Sequence, residues 1–432
     1  MLRRVFEEGA FADRAFRAEA DRAGLDGRDR AFAMRLAYGA VQMKGTLDHV
    51  LAKLSRPPLE KLDPPVLAAL RLGLYELLFA GGTPARAAVY ESVELVKRES
   101  PQAHAFVNAI LRRAGREAPA IVAALDAETP AGAAIVHSHP LWIVERWWGE
   151  LGPSEARALM ERDNEPAESA VRANRLKTTA PELVELLDRE GVEARTDRLV
   201  PEAVVLGSAW DVHSSMPFER GLLMPQSRAS MLVARVLDPR PGERILDLCA
   251  APGAKTTHIA ALIGDEGSVV AVEHDPRRAE ATRSNCARLG ASCVEVVVGD
   301  AAEPAYGEGY DRVLVDPPCS DLGTLQSRPD VRWRKTADQV EGLRALQRRI
   351  LEAGAGALRP AGTLVYSTCT ISAEENERQL QDFLQTHSNF RVCDLSERYP
   401  RLVQTGNRAL LQTLPHRDGT DGFFIAALER TL

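Results

Sequence analysis

The sequence has 432 residues, of which 45% are hydrophobic and 27% charged, and its formal net charge is −7. At roughly 150 residues per domain, this length indicates two or three domains, each large enough to bury its own core. The composition excludes a disordered, collagen-like or coiled-coil chain, and a pI near 5.8 argues against a protein that coats nucleic acid without selectivity.

The amino-terminal stretch MLRRVFEEGAFADRAFRAEADR carries charges throughout, and no later run approaches the ~18 apolar residues of a membrane span. We therefore expect a cytoplasmic protein that makes no membrane contact and keeps its cysteines reduced. No cysteine stands in a C-x-x-C pair, so we expect no metal site. The cysteines are Cys249, Cys286, Cys293, Cys319, Cys369 and Cys393.

Residues 1–125 are predicted to form an all-α bundle. Apolar side chains recur at helical spacing, for example at Leu67, Leu70 and Leu74, and proline-rich turns separate the segments. The first 120 residues hold 19 Lys and Arg against 15 Asp and Glu, whereas the remainder has a net charge of −11. A modestly basic first domain suits a selective contact with nucleic acid, and the alternative is a neutral helical domain with solvated charges.

The end of this bundle resembles NusB-type RNA-binding domains through the segments VYESVELVKRES and FVNAILRRAGRE. The resemblance implies that residues 1–125 bind RNA. Arg112 and Arg116 are four positions apart and share one helical face, where RNA phosphates could dock. Alternatively, both arginines complement the helix dipole at its carboxyl end.

Residues 126–140 are rich in Ala, Gly and Pro and are predicted to be a linker. Residues 141–225 begin with two short helices and continue with strand-like, helical and strand-like runs, which predicts a small α+β module of the RNA-recognition kind. Trp142, Trp147 and Trp148 form either a stacking platform for bases or part of the core, and their helical spacing favours the core.

Residues 226–432 alternate strands with helices. Short runs rich in Val, Ile and Leu occur at 243–250, 267–275, 293–300, 311–318 and 362–369. Continuous apolar runs indicate strands covered on both faces, and hence a doubly wound, mostly parallel α/β (Rossmann-like) sheet. A late run, FFIAALER, is expected to pair antiparallel with residues 408–414 at the sheet edge.

The turn after the first of these strands is the candidate cofactor loop. It has one glycine and no G-x-G-x-x-G, so it fits S-adenosylmethionine, which has no phosphates, better than a dinucleotide. Glu273 ends the second strand, where an acid can accept the ribose hydroxyls, and Asp300 ends the third, near the expected adenine. The predicted cofactor-binding residues are Cys249, Ala250, Ala251, Pro252, Gly253, Ala254, Lys255, Glu273, Asp300 and Asp316.

Two cysteines follow neighbouring strands of this predicted sheet. Cys319 comes after Asp316-Pro-Pro at the end of the fourth strand, and Cys369 ends the fifth. Either thiol alone could be a small buried hydrophobe. Because both follow strand ends, where ligands bind in such sheets, the pair is more simply explained as reactive thiols.

The motifs DLCAAPGAKT, VLVDPPCSDLGTLQSRPDVRW, YSTCTISAEENE and DGFFIAAL resemble those of the Nol1/Nop2/Sun family of RNA cytosine-5 methyltransferases, over residues 140–432. The resemblance implies a class I methyltransferase domain that uses S-adenosylmethionine. Carbon 5 of cytosine is too electron-poor to attack a methyl sulfonium, so a thiolate must first add to carbon 6. By the family's motif order, Cys369 is the nucleophile, Cys319 removes the carbon-5 proton, and Asp316 contacts nitrogen 3 and the amino group of the base.

This sequence departs from the family's pattern at several positions. Ala254 stands where a second glycine is usual, and Glu273 replaces an aspartate. Asp321 stands where the family prefers Gly or Ala after Cys-Ser, and Gln226-Ser227 stands where Gln-Asp is commoner. These differences concern cofactor affinity and loop position and leave the expected reaction unchanged.

An ordinary thiol, with a pKa of ~8.5, is largely protonated at pH 7, so Cys369 is expected near oriented amides or a cation such as Lys255, Arg328 or Arg332. The basic run that contains Arg328, Arg332 and Lys335 could also bind the target strand, and a solvated loop is the alternative.

A base inside an RNA duplex cannot reach a thiol at the edge of the sheet, so the target cytosine is expected to be unpaired or flipped out of its helix. The NusB-like domain favours small-subunit (16S) ribosomal RNA over tRNA. The rival of another class is a non-catalytic RNA-binding scaffold. A monomer is the default expectation.

Overall fold

A computed structural model of the chain describes residues 1–25, 27–208, 210–303, 305–404 and 407–431. It divides into two compact units, residues 1–166 with 325–335, and residues 167–324 with 336–432. Among the helices of the described residues, none combines the length and apolarity that a bilayer crossing needs.

The first unit is helical, which confirms the predicted all-α bundle. Its leucine stripe is internal, since Leu70 and Leu74 are fully buried. Prolines stand at the starts of several helices, where the missing N–H costs no hydrogen bond. The helices are Leu2–Phe6, Ala12–Ala23, Gly27–Gln42, Lys44–Leu54, Pro64–Tyr75, Ala85–Glu99, His104–Ala123, Pro130–Val136, Leu141–Leu151, Pro153–Arg162 and Val331–Arg334, with shorter turns at Leu59–Lys61, Glu76–Ala80 and Pro101–Ala103.

The segment predicted to be a linker, residues 126–140, contains the helix Pro130–Val136. The Thr129 hydroxyl accepts the Gly132 N–H at 3.1 Å, so a capped helix starts there despite the Ala- and Gly-rich composition. The two helices that follow belong to this first unit as well, not to the small sheet. Trp147 is fully buried, in agreement with its interpretation as a core residue.

A four-stranded antiparallel sheet opens the second unit and agrees with the predicted α+β module. The strands are β1 (Ala170–Ala173), β2 (Ala194–Thr196), β3 (Ala203–Leu206) and β4 (Leu223–Pro225), in the order β2-β3-β1-β4. The helix Ala180–Arg189 starts at a capping box in which Thr179 and Glu182 bond each other's backbone N–H groups.

The larger sheet of the second unit is the predicted doubly wound sheet. The strands are β5 (Arg244–Leu248), β6 (Ser268–Glu273), β7 (Val294–Val298), β8 (Tyr310–Val315), β9 (Leu358–Thr368), β10 (Phe390–Val392), β11 (Val403–Gln404), β12 (Asn407–Gln412) and β13 (Phe424–Arg430), in the order β11-β12-β13-β9-β8-β5-β6-β7 with β10 beside β13. Adjacent strands in the run β9-β8-β5-β6-β7 are parallel, and β13 pairs antiparallel with β9 and β12, as expected for the late apolar run.

Helices cover the large sheet, and alternate residues of its strands pack into different cores. Ile245 and Val365 belong to one apolar cluster, and Leu246 and Leu364 to another. The remaining helices of the unit are Met216–Glu219, Arg228–Leu237, Ala254–Leu262, Pro276–Leu289, Ala337–Ala357, Glu377–Thr386 and Pro415–Asp418, with a short turn at Val212–Ser214. Because β5, β6, β8 and β9 run parallel, their carboxyl ends share one edge, and the candidate site lies there.

Candidate active site

The loop after β5 has a backbone that only a few residue types tolerate. Gly253 has φ +94°, and a Cβ at this position would lie 3.0 Å from Cγ2 of Thr282. Cys249, at the start of the loop, also has a positive φ of 67°. The loop therefore bends tightly, with two residues in the left-handed backbone region.

Arg172, in β1, binds this loop and the start of the helix that follows it. This contact is not among those predicted from the sequence. The side chain is fully buried, and its guanidinium donates to the carbonyl of Ala254. It also donates to Oε1 of Gln226 at 2.8 Å and to Oγ1 of Thr257 at 2.9 Å. Burial lowers the pKa of Arg172 to about 9. An arginine in the middle of a short apolar strand was the available signal.

Asp247, in β5, is a buried carboxyl beside the cofactor loop. Oγ1 of Thr256 donates to it at 2.6 Å. Burial raises the pKa of Asp247 to about 7, and the nearby carboxylates of Asp316 and Glu273 act in the same direction. Asp247, Asp316 and Glu273 thus form a group of three acids near the end of β5.

The two acids predicted to bind the nucleoside follow β6 and β7. Glu273 is buried, and one of its carboxylate oxygens accepts the Asp275 N–H at 3.0 Å. Asp300 is half-buried and accepts the Ala302 N–H at 2.9 Å. Both carboxylates keep further lone pairs for a ligand.

Asp316 follows β8 and is held by two side chains. Nζ of Lys255 donates to Oδ2 at 2.6 Å, and Oγ of Ser367 donates to Oδ1 at 2.8 Å. Burial alone lowers the pKa of Lys255, but its pairing with Asp316 outweighs burial, so this pKa is raised and the ammonium stays charged. The pair joins the cofactor loop to the end of β8.

The two thiols predicted to be reactive meet at this edge. The Sγ atoms of Cys319 and Cys369 are 3.3 Å apart. The Cys369 thiol donates to Oδ1 of Asp321 at 3.0 Å, and the Cys319 sulfur lies 3.9 Å from the same oxygen. The three groups form a compact triad in a protected position, since Cys319 is only 5% exposed.

The triad favours neutral thiols. The hydrogen bond with Cys319, burial and the carboxylates of Asp321 and Asp316 all raise the pKa of Cys369. For Cys319, the hydrogen bond with Cys369 lowers the pKa, but burial and Asp321 outweigh it and raise this pKa. The immediate neighbour of Cys369 is therefore a carboxylate and not the expected cation, although Lys255 lies close enough to respond to the Cys369 charge.

A buried carboxylate, Glu375, anchors the turn that carries Cys319. Glu375 accepts the backbone N–H of Ser320 at 2.9 Å and also the Ser320 hydroxyl. Nε2 of Gln347 donates to it at 2.9 Å, and the Tyr366 hydroxyl donates to its backbone carbonyl at 2.7 Å. In the sequence this glutamate stands within the motif YSTCTISAEENE, and no local pattern there predicts its contact with Ser320.

The structure contradicts the prediction that Arg332 contacts RNA or activates Cys369. This side chain is fully buried within the first unit. Its guanidinium donates to Oδ1 of Asn164 at 2.8 Å and to the backbone carbonyls of Ser138, Asp163 and Leu325 at 3.1 to 3.3 Å. A basic sequence run does not show which arginine turns inward, because the acceptors come from distant parts of the chain.

The other predicted RNA contacts stay at the surface. Arg328 is exposed and Lys335 is half-buried. Arg112 and Arg116 are exposed on the helix His104–Ala123, and Nη1 of Arg116 donates to the Arg112 carbonyl at 3.2 Å. Their assignment to RNA remains a prediction.

Comparison with known proteins accounts for all three parts of the chain. Residues 234–429 match the 16S rRNA methyltransferase RsmB/F family, residues 1–116 the NusB family, and residues 139–213 the ferredoxin-like domain of RsmF/B-like methyltransferases. The chain is similar to "Probable ribosomal RNA small subunit methyltransferase B" of Bacillus subtilis, with 36% identity over 94% of this chain and 92% of the relative.

A second relative is "Ribosomal RNA small subunit methyltransferase B" of Vibrio cholerae, with 33% identity over 93% of this chain and 90% of the relative. Among solved structures, NSun6 from Pyrococcus horikoshii with SFG has a TM-score of 0.62 and 25% identity, over 67% of this chain and 97% of that one. With near-complete coverage at this level of identity, the chain belongs to the family of 16S rRNA methyltransferases called RsmB/F.

Proposed function

We propose that this chain transfers a methyl group from S-adenosylmethionine to carbon 5 of a cytosine in small-subunit ribosomal RNA, through a covalent adduct with Cys369. The observation that carries the proposal is the 3.3 Å separation between the sulfurs of Cys319 and Cys369. Asp316 lies close enough to raise the pKa of Cys369, and it binds Lys255 of the loop after β5. The thiol proposed to attack the cytosine and the thiol proposed to release it therefore lie at the same sheet edge as the cofactor loop.

The residues around the loop fit S-adenosylmethionine. Gly253 lets the loop pack closely against Thr282, and the buried Glu273 offers carboxylate oxygens where β6 ends. Ala254, in place of the family's usual glycine, begins the helix Ala254–Leu262 with helical backbone. The SFG bound to the similar NSun6 structure is an analogue of this cofactor. When bound, the cofactor supplies the electrophilic methyl group.

Residues of the loop after β5 would hold the cofactor, together with the acids that follow β6 and β7. Glu273 would accept the ribose hydroxyls, and Asp300 the adenine amino group. Asp316, where β8 ends, would lie between the cofactor and the base. The loop residues are Cys249, Ala250, Ala251, Pro252, Gly253, Ala254 and Lys255.

The chain's own part in the reaction begins at Cys369. Its sulfur adds to carbon 6 of the cytosine while its proton leaves, and the electron pair of the C5–C6 double bond moves toward carbon 5. Asp316 contacts nitrogen 3 and the amino group, and a proton shared there stabilises the adduct. Lys255 and Ser367 fix the Asp316 carboxylate for this contact.

Release of the product depends on Cys319. After carbon 5 has received the methyl group, Cys319, which has released its own proton to solvent, takes the carbon-5 proton as a thiolate and becomes a thiol again. The electrons of that C–H bond re-form the C5–C6 double bond. The bond between carbon 6 and the Cys369 sulfur then breaks, and the thiolate leaves with its electron pair. Adjacent sulfurs suit this division, because the two reacting carbons are adjacent as well.

The names of the relatives and the position of the two thiols both support small-subunit ribosomal RNA as the substrate. The relatives named above are ribosomal RNA small-subunit methyltransferases, and the NusB match supports a second contact with RNA. A cytosine must leave its stack to reach thiols at a sheet edge, so the target is unpaired or flipped. Exposed Arg112, Arg116 and Arg328, with Lys335, would bind its phosphates.

Methyl transfer to purified RNA tests the proposal. We expect label from methyl-tritiated S-adenosylmethionine to enter small-subunit ribosomal RNA, and nucleoside mass spectrometry to identify 5-methylcytidine. N4-methylcytidine as the product would refute the carbon-5 chemistry. Transfer to tRNA alone would support the tRNA alternative, and cofactor-independent RNA binding without any product would support the scaffold.

A further inference from the structure

Asp321 occupies a position in the candidate site to which the proposed reaction assigns no role. Its Oδ1 atom lies 3.0 Å from the sulfur of Cys369, and the thiol points its proton at this oxygen. The Cys319 sulfur is 3.9 Å from the same atom. A carboxylate in hydrogen-bond contact with a thiol is placed to accept that thiol's proton.

The backbone at Asp321 adopts a conformation that a side chain makes costly. Its φ is 59°, in the left-handed region, and the turn is closed by a hydrogen bond of 3.0 Å from the Thr324 N–H to the Asp321 carbonyl. Glycine is the residue that fits this conformation without strain. An aspartate here indicates that the carboxylate offsets that cost by what it does in the site.

The charges that surround Cys369 make a proton acceptor necessary. The acidic neighbours are Asp316 and Asp321, and the neutral partner is Cys319. Lys255 is the cation near them, and its ammonium is bound to Asp316. The Glu375 carboxylate, just before the helix Glu377–Thr386, also raises the pKa of Cys319. These surroundings raise the pKa of Cys369, so the resting group is the thiol, and its proton must be taken during the attack on carbon 6.

We propose that Asp321 is the general base that takes the proton of the Cys369 thiol as its sulfur adds to the cytosine. As the S–H bond breaks, its electron pair stays on sulfur and a sulfur lone pair forms the bond to carbon 6, while the proton moves to Oδ1 of Asp321. When the product leaves, the Cys369 thiolate takes this proton back, and the site returns to its starting state. This role rests on the proposed function, since it requires Cys369 to be the nucleophile.

The test measures how fast the covalent RNA adduct forms when its release is blocked. Cys319→Ala supplies the background, because it removes the proposed release base and also the second sulfur in contact with Cys369. Adduct formation with small-subunit ribosomal RNA and S-adenosylmethionine is followed on denaturing gels, with and without Asp321→Asn. Asparagine tolerates the same left-handed backbone but cannot accept the proton.

We expect Asp321→Asn to slow adduct formation at pH 7 by about 10²-fold or more. The deficit should shrink as the pH rises, because hydroxide then deprotonates the thiol. A second variant, Asp321→Gly, removes the carboxylate and relieves the backbone, so it should unfold at a higher temperature and still form the adduct slowly. Cofactor binding checks that both variants keep a folded site.

The outcomes separate this role from the proposed function. An adduct that forms equally fast with and without the Asp321 carboxylate overturns the general base and leaves the reaction intact. A deficit that stays constant from pH 6 to 9 overturns it as well, because it indicates positioning only. No adduct in the Cys319→Ala background, with the cofactor bound, counts against the proposed function itself.

Discussion

The sulfur of Cys319 lies 3.3 Å from the sulfur of Cys369, although the two residues are 50 positions apart in the chain. Cys319 comes shortly after β8 and Cys369 directly after β9, and these strands are parallel neighbours. Their carboxyl ends therefore deliver both thiols to one point. A nucleophile and a release base at this distance can act on the two adjacent carbons of one cytosine ring.

Asp247 should make the stability of the protein depend on pH. Its pKa is raised from 3.8 to about 7, so the folded state holds this proton more tightly than the unfolded state. The resulting stabilisation is complete below pH 4 and is lost as the pH rises through 7. We expect Asp247→Asn to match the wild type near pH 4 and to be more stable than it by about 4 kcal/mol at pH 8, in urea unfolding.

A stability difference between Asp247→Asn and the wild type that stays the same at pH 4 and pH 8 would show that Asp247 does not titrate in this range.

Removal of the Glu375 carboxylate should displace Cys319. Glu375→Ala leaves the Ser320 N–H without its buried acceptor and the Gln347 amide with the Pro318 carbonyl alone, which costs about 2–4 kcal/mol in unfolding free energy. Because Ser320 adjoins Cys319, we expect the release step to slow and the covalent RNA adduct to accumulate during turnover. Denaturing gels and urea unfolding measure the two effects.

The matched control is Glu352→Ala. Glu352 pairs at 3.1 Å with Arg348, and the two side chains are 44% and 49% exposed, so its loss should change stability by less than about 0.5 kcal/mol. Equal effects of the two substitutions would contradict the role given to Glu375.

Gly253 should set the affinity for the cofactor. Its φ of +94° is costly for alanine, and the added Cβ would meet Thr282 at 3.0 Å. We expect Gly253→Ala to raise the cofactor Kd at least about tenfold, which corresponds to about 1.4 kcal/mol. Ala254→Gly, one position later in ordinary helical backbone, should change the Kd by less than about threefold in calorimetry. Similar affinities for both variants would mean that the loop does not bind the cofactor.

The buried Arg332 and the exposed Arg328 should respond differently to substitution. Arg332→Met removes donors to three carbonyls and an amide oxygen, so we expect a loss of about 3 kcal/mol or more in stability. Arg328→Ala should cost much less stability than Arg332→Met, weaken RNA binding and lower the salt slope of that binding by about 1. An unchanged salt slope would remove Arg328 from the RNA contact.

The sequence predicts those parts of the site that strand ends determine. The apolar runs locate β8 and β9, and parallel strands bring Cys319 and Cys369 to a shared edge without any knowledge of loop geometry. The acids Glu273 and Asp300 are predictable for the same reason. The signal is local in each case, because a run of buried residues is followed by a polar or reactive one.

The sequence does not predict contacts that depend on distant chain segments. Arg332 stands in a basic run, but its acceptors at Ser138, Asp163 and Asn164 lie more than 160 positions away. Arg172 likewise supports a loop 82 positions later. Asp321 is visible in the sequence as a departure from the family, but its contact with Cys369 depends on how the turn folds.

The most direct test of the covalent mechanism compares Cys319→Ala with Cys369→Ala. Each variant is mixed with small-subunit ribosomal RNA and S-adenosylmethionine and run on a denaturing protein gel. We expect Cys319→Ala alone to give a slow, nuclease-sensitive band, because it can attack carbon 6 but cannot release the product. A band from Cys369→Ala alone would reverse the two roles, and no band from either variant with the cofactor bound would contradict the covalent mechanism.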